Sequence, residues 1–282
     1  MLIVVAGCGS APPVSHPDTA KAPLSYASDD GMVVIAAGRY VAGSTPEERQ
    51  VAYDDYLHTA NHDGARENEW FGKEQDRHIE KLPAFSIDLL PVTQAAFAEF
   101  VATGAAPAPT IDEAAWKAQG FQQDYATQVA RFVWKDNRPP IGREDHPVVL
   151  VTHTEATRYC AWRNHRRLPT AAEYEKAARG EQGLVYPWGN VYEASKLNSA
   201  VAGPGDTVPA GTYNDGASPY GILDLAGNVF QWTSTPGEAG KLLVKGSAWD
   251  DHAGVGRGAS SHGRKREVRH VIVGFRCAAD AK

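Results

Sequence analysis

The chain has 282 residues, 43% hydrophobic and 22% charged, and its 28 Lys and Arg against 34 Asp and Glu give a net charge of −6. That length is long for one core but too short for two large domains, the composition is ordinary globular material, and the acidic balance excludes a general nucleic-acid binder, which is usually basic. Its 27 Gly, 18 Pro and seven Trp predict many turns and irregular segments anchored by indoles.

Residues 1–8 read MLIVVAGC, with a short apolar run from Leu2 to Ala6. A full secretory signal has a basic start and a longer apolar core, and neither is present. Val5-Ala6-Gly7-Cys8 nevertheless resembles a bacterial lipobox, whose cysteine is lipidated after cleavage. The expectation is a truncated signal with Met1 as an internal start, Cys8 lipidated, and the protein held in the bacterial periplasm or on the outer membrane. The competing reading is a disordered start with a chance cysteine. Residues 9–29 (GSAPPVSHPDTAKAPLSYASD) lack an apolar period and read as a flexible tether to a domain over 30–282. No segment approaches 18 uninterrupted apolar residues, so the lipid is the only membrane attachment expected.

GMVVIAAGRYVAGS (31–44) alternates and is β-branched, which predicts a hairpin turning near Gly38. Residues 46–80 are polar with scattered aromatics and read as a long surface excursion. Residues 82–90 form a strand, and a helix follows with Thr93 as N-cap and Phe97, Phe100 and Val101 on one face. A short helix over Asp112–Ala118, a strand ARFVW (130–134) and a short apolar strand Val148–Val151 come next. Thr152 caps a helix over His153–Asn164, with Ala156, Tyr159, Cys160 and Arg163 along one side. Thr170 and Glu173 make a capping box, and Gly180 ends that helix. Beyond it regular structure is sparse, with turns at 188–190, 214–216 and 227–228. The pattern is α+β with many loops on a small sheet core.

Cys160 and Cys277 lie 117 positions apart. In an exported protein they would form one long-range disulfide and leave Cys8 for lipid; in a cytosolic one they would be buried thiols.

The segments GMVVIAAGRYVAGS, LPAFSIDLLPVTQAAFAEF, HPVVLVTHTEATRYCAW, RLPTAAEYEKAARG, YPWGN, SPYGILDLAGNVFQWT, KGSAW and GFRC run in order from residue 31 to the end. Together they resemble the formylglycine-generating enzyme (sulfatase-modifying factor) family. The resemblance implies a variant of the C-type-lectin-like fold with little regular secondary structure, and a Cys160–Cys277 disulfide. Family members that make formylglycine hold copper through two cysteines, which here fall on Asp251 and Gly256. Cu(I) prefers thiolates, so no copper is expected and formylglycine generation is excluded. The family's structural calcium sites correspond to Asn198 and Ser199 with Asp206 nearby, and to Asn228, Val229 and Gln231. Ala202 replaces one acidic partner and Gln231 the usual Glu, so any calcium would be held with less charge.

The strongest constellation for chemistry is Asp250, Asp251 and His252, with His262 and His270 further along. Carboxylate and imidazole together do acid–base work near neutral pH, and Asp251, His252 and His262 are the candidate catalytic residues. Trp249, Arg257, Arg264 and Trp70 are the candidate ligand contacts. Arg257 and Arg264 belong to a Gly-rich basic loop suited to an anionic ligand; Trp70 belongs to an acidic, aromatic stretch that would form a recognition wall. The bland alternative makes both segments solvated loops and the histidines donors to loop carbonyls. The C-terminal segment resembles the cysteine-free branch that includes pyoverdine-maturation proteins. That implies an enzyme oxidising or tautomerising a small peptide-derived molecule such as a siderophore chromophore. The alternative is a lectin-like scaffold binding a peptide, glycan or protein at the cell envelope.

Overall fold

A computed structural model describes residues 30–281; Cys8 and the tether lie outside them. The first strands do not form the expected hairpin. Strand β1 (Met32–Ile35) pairs antiparallel with β4 (Phe85–Asp88), and β2 (Gly38–Ala42) with β3 (His78–Leu82). The chain thus closes a long loop, with 78–88 returning along 32–42. Pro83, which has no N–H to donate, stands where the returning ladder breaks between β3 and β4.

The loop so closed is largely helical rather than the polar excursion expected. Helix α1 (Pro46–Ala60) begins with a capping box: Thr45 Oγ1 accepts from Glu48 N at 3.2 Å, and Glu48 Oε2 accepts from Thr45 N at 2.8 Å. Thr45-Pro46 followed by Glu48 is a legible start signal. The scattered polarity of the rest concealed the helix, which buries only Ala52 and Tyr56. A single turn, α2 (Gly64–Glu67), then leads to Trp70 and Phe71.

Helices α3 (Gln94–Ala102), α4 (Glu113–Ala118), α5 (His153–Trp162) and α6 (Ala171–Arg179) fall where expected. Side chains of Thr93, Asp112, Thr152 and Thr170 cap them. Residues 130–134 are not a strand: Ala130–Phe132 is a 3₁₀ turn that buries both Phe132 and Trp134. Val148–Val151 is fully buried but forms no ladder, because Leu150 takes φ 61 and its neighbours bond in different directions: Val148 N to Val92 O, Leu150 N to His270 O.

The C-terminal half supplies β5 (Phe230–Pro236), β6 (Leu242–Lys245), β7 (Ser261–Arg264), β8 (Val273–Gly274) and β9 (Ala278–Asp280). They make a four-stranded sheet in the order β7-β6-β5-β8, and β9 joins β4 to complete a three-stranded sheet with β1. The larger core packs α1, α3 and α5 against β5 and β6; a smaller one packs α6 on β1 and β4. Cys160 on α5 and Cys277 ahead of β9 form the expected disulfide, Cα–Cα 5.5 Å.

Candidate functional site

The site is built by the loop between β6 and β7. Gly246 turns the chain away from β6 at φ 82, where a Cβ would lie 2.8 Å from the Tyr174 hydroxyl. The next residues are pinned on three sides. Trp249 N donates to Asn228 O at 3.1 Å, Asp251 O accepts from Ala200 N at 2.9 Å, and Ala253 N donates to Thr59 Oγ1 at 3.2 Å. Asp251 also closes its own turn, one carboxylate oxygen accepting from Ala248 N at 2.7 Å. Its second oxygen has no hydrogen-bond partner among the described residues.

The far end of the loop is set by strand register. Val244 pairs with His262 and Leu242 with Arg264, so His262 and Arg264 share one face of the hairpin. From that face His262 meets Phe230 at 5.1 Å and Trp70 at 6.0 Å, edge to face. Trp70 meets Tyr56 of α1 at 5.3 Å, and Tyr56 meets His252 at 5.7 Å. The missed helix α1 therefore supplies one wall of the site, and Tyr56 is a residue that sequence reasoning did not single out. Four nitrogens here are screened from solvent with no hydrogen-bond partner: Trp249 Nε1, His252 Nδ1, His262 Nε2 and Arg264 Nε. Buried polar groups are normally satisfied, so these four single the loop out as the candidate site.

Electrostatics agree. Asp250 is exposed on the loop, and Asp251 beside it is partly buried. Desolvation pushes its carboxyl up to about 6. Asp251 is raised further, well above the carboxylate range, by desolvation and then by the charge of Asp250. Desolvation takes His262 down to about 3 and lowers His252 as well. Both histidines are therefore neutral at pH 7 and act as hydrogen-bonding groups rather than acids.

Several expected site residues lie elsewhere. Arg257 is paired away from Arg264: it is 2% exposed, its Nη1 donates to Glu74 Oε2 at 3.1 Å, and its guanidinium lies 4.6 Å from the Phe71 ring centre. Glu74 is thereby withdrawn from the acidic stretch into a buried pair. No hydrogen bond links His252 to Asp251, so they are not a catalytic dyad. His270 is sandwiched in the core by Phe121 and Trp116.

Neither metal implied by the resemblance fits. At the copper positions Asp251 is a carboxylate and Gly256 has no side chain, and the two described cysteines are joined to each other. At the first calcium position the Asp206 carboxylate is gripped by Arg143 (2.9 Å) with Arg131 beside it (3.5 Å), and Ser199 Oγ is bonded to Tyr192. At the second, Asn228 Oδ1 accepts from Asn198 Nδ2 and Val208 N, while Gln231 Oε1 accepts from Arg276 Nε; Val229 is buried and N–H bonded to Gly227 O. One buried oxygen, Asn198 Oδ1, is without a donor, and a dication needs several. Chelation is accordingly expected to leave the thermal midpoint unchanged; a midpoint that climbs with added calcium would show that these oxygens rearrange around the ion.

A cavity of about 590 Å³ opens on the opposite face of the β6–β7 hairpin, beside Lys245 and Ser261. Its charged floor is paired internally, Lys245 Nζ to Glu175 Oε2 at 3.3 Å and Arg179 to Glu175 at 2.6 Å.

Comparison with known proteins places this geometry in context. The family model for the sulfatase-modifying factor enzyme 1-like domain matches residues 18–281. The chain is 30% identical over 302 residues to the Mus musculus protein named inactive C-alpha-formylglycine-generating enzyme 2, covering 92% of this chain and 88% of the relative. It is also 30% identical to the Mycobacterium tuberculosis formylglycine-generating enzyme, over 59% of this chain and 68% of that one. The structure of PvdO from Pseudomonas aeruginosa superposes with a TM-score of 0.67 at 19% identity, covering 93% of this chain and 100% of that chain, a likeness of fold.

Proposed function

The chain belongs to the sulfatase-modifying factor enzyme 1-like family, and from that premise we propose that it is an exported maturation enzyme that moves protons on a small peptide-derived molecule, such as a siderophore chromophore. The observation that carries this reading is the adjacent Asp250–Asp251 pair on the β6–β7 loop, whose carboxyls are held with raised and unequal proton affinities. Two titratable groups pushed apart in this way divide the roles of acid and base. Asp251, whose proton affinity is raised the further of the two, gives a proton to one ring atom. Asp250, ionised and open to solvent, removes one from another. The net change is a tautomerisation, which needs no oxidant. His262 and His252, kept neutral, orient the ring by hydrogen bonds.

Export is supported by the Cys160–Cys277 bond, which belongs to an oxidising compartment. It leaves Cys8 as the remaining one of three cysteines, and the proposed lipid anchor rests on it. The substrate class rests on the likeness of the C-terminal segment to the cysteine-free branch. A non-catalytic scaffold is the second reading. It is favoured by the Asp251–Ala248 bond, which gives that carboxylate a structural duty, and by the word inactive in the name of a relative.

Untargeted metabolite profiles separate the two. A strain carrying Asp251→Asn is expected to accumulate the same precursor as a deletion strain; a profile identical to the parent's would sink the enzyme reading. Asn retains an oxygen for Ala248 N, so folding is preserved. Its pH dependence has a definite sign. The folded-state proton affinity of Asp251 is raised above the unfolded value of about 3.9, so its stabilising contribution is complete below that pH and is lost as pH rises through the folded pKa. The Asn variant should therefore gain stability over the parent as pH increases, while losing activity.

A further inference from the structure

Helix α1 supplies more than the Tyr56 wall. On an adjoining face Glu48, Val51, Ala52, Asp55 and Thr59 recur every three or four residues, and they line a cavity of about 480 Å³. Residues 185–192 face them across it, and Ala253 and Arg257 complete the lining. The walls are fixed in place. Gly254 comes so near the helix that a Cβ on it would lie 2.4 Å from Ala52 O, and Ala253 N donates to Thr59 Oγ1 at 3.2 Å. Across the cavity Tyr186 stacks on Trp188 at 5.2 Å, and Val185 N donates to Asn190 Oδ1 at 3.1 Å.

The lining leaves one charge unspent and several apolar groups uncovered. Of its carboxylates, Glu48 is taken up by Thr45 N and Arg77. The Asp55 carboxylate has no hydrogen-bond or ion-pair partner among the described residues, and desolvation raises its proton affinity above the ordinary value; His58 and Arg257 oppose that shift without bonding to it. Arg257 itself is turned inward to Glu74, in a pair whose side chains are 2% and 3% exposed. Meanwhile Val191 is 70% and Val51 57% exposed on the rim, and the rings of Tyr186 and Tyr192 stand 5.8 Å apart at 61°.

These walls constrain the occupant. An anion would meet Asp55. A hard metal ion needs several converging oxygens, and no group of three acidic, histidine or cysteine side chains among the described residues could hold one. A neutral apolar molecule would cover Asp55 without pairing it. An ammonium ion on an apolar stem satisfies every wall: the head pairs with Asp55, the stem covers the valines, and the tyrosine rings favour a cation beside them.

We propose that this cavity is a binding site for a primary ammonium group on an unbranched alkyl stem, the chemistry shared by a free alkylamine and a lysine side chain. The site is separate from the Asp250–Asp251 loop and does not depend on the reading of that loop.

Titration calorimetry on the full chain at low ionic strength tests this with n-pentylamine, 1-pentanol and pentanoate as probes. Pentylamine is expected to bind saturably, and the alcohol and the carboxylate at least about tenfold more weakly, the loss of one charge-assisted contact. Asp55→Asn should weaken pentylamine about tenfold and leave pentanol unchanged, whereas Val51→Ser should weaken both. Equal binding of the three probes, no saturable binding of pentylamine, or an Asp55→Asn chain that binds it as the parent does would each overturn the assignment. The probe comparison needs no variant, so misfolding cannot imitate it. N-acetyl-L-lysine N-methylamide distinguishes the sources: affinity equal to that of pentylamine supports a lysine side chain as occupant, and affinity at least about tenfold weaker supports a free amine. The metabolite profile of the Asp251→Asn strain reports on the loop alone, so either reading can fail without the other.

Discussion

Arg276→Met is expected to lower the unfolding free energy by about 3–5 kcal/mol, the usual penalty for breaking a buried charged network by removing one partner. The guanidinium is 0% exposed. Its Nε donates to Gln231 Oε1 at 2.5 Å, Nη1 to Asp88 O at 2.9 Å and Leu89 O at 3.3 Å, and Nη2 to Leu223 O at 2.7 Å and Asp224 O at 3.0 Å. One side chain thereby joins the end of β4, the 223–224 segment and β5. Methionine of similar length fills part of the space but removes all five of these hydrogen bonds from the core, and Leu89 O and Asp224 O keep only their other donors, Leu223 N and Gln231 Nε2. Desolvation already raises the carboxyls of Asp88, to about 6, and of Asp224, with Arg276 opposing the shift in each. Removing the cation disfavours both charges further. A domain of this size moves by roughly 2–4 °C per kcal/mol, so a thermal melt followed by circular dichroism should fall by about 10 °C; a shift of a degree or two would mean that the carbonyls find other donors.

The disulfide carries the second large effect. Closing a loop between positions 117 apart restricts the unfolded chain by roughly 4–5 kcal/mol on the chain-entropy model, an upper figure. Both sulfurs are fully buried, and Cys277 N donates to Asp88 Oδ2 at 2.8 Å just before β9 joins the sheet. The Cys160→Ala, Cys277→Ala double variant should unfold at a markedly lower denaturant concentration, and reductant should move the parent to the same midpoint while leaving the variant unmoved. A parent that ignores a reductant known to have opened the bond would show that packing alone holds β9 in place.

Much of this molecule is legible in short stretches of sequence. The caps at Thr93, Thr152 and Thr170 are decided by residues three positions apart, so the helices behind them can be read directly. Thr45 with Glu48 was equally readable, but α1 buries too few apolar residues to show a periodic face. Runs such as ARFVW and Val148–Val151 were misread because β-branched and aromatic residues in a buried segment look like a strand even when the backbone has no ladder to join.

The site divides along the same line. Asp250, Asp251, His262 and Arg264 are near neighbours in the chain, and their residue types alone marked them as chemistry. Arg257 looked equivalent to Arg264, yet its partner Glu74 is 183 positions away, and no local signal reports that pairing. Trp70 was placed at the site by its type; what it touches, His262 and Tyr56, depends on where α1 packs.

By itself the sequence determined the family, the disulfide it implies, the lack of thiols at the two copper positions and the stretch that holds the candidate site residues, because these depend on identity and order along the chain. Only the tertiary structure decided which charged residues are paired and which stand free. A charge's state is set by its desolvation and by counterions contributed from distant segments, and those are properties of the packed chain rather than of any residue in it.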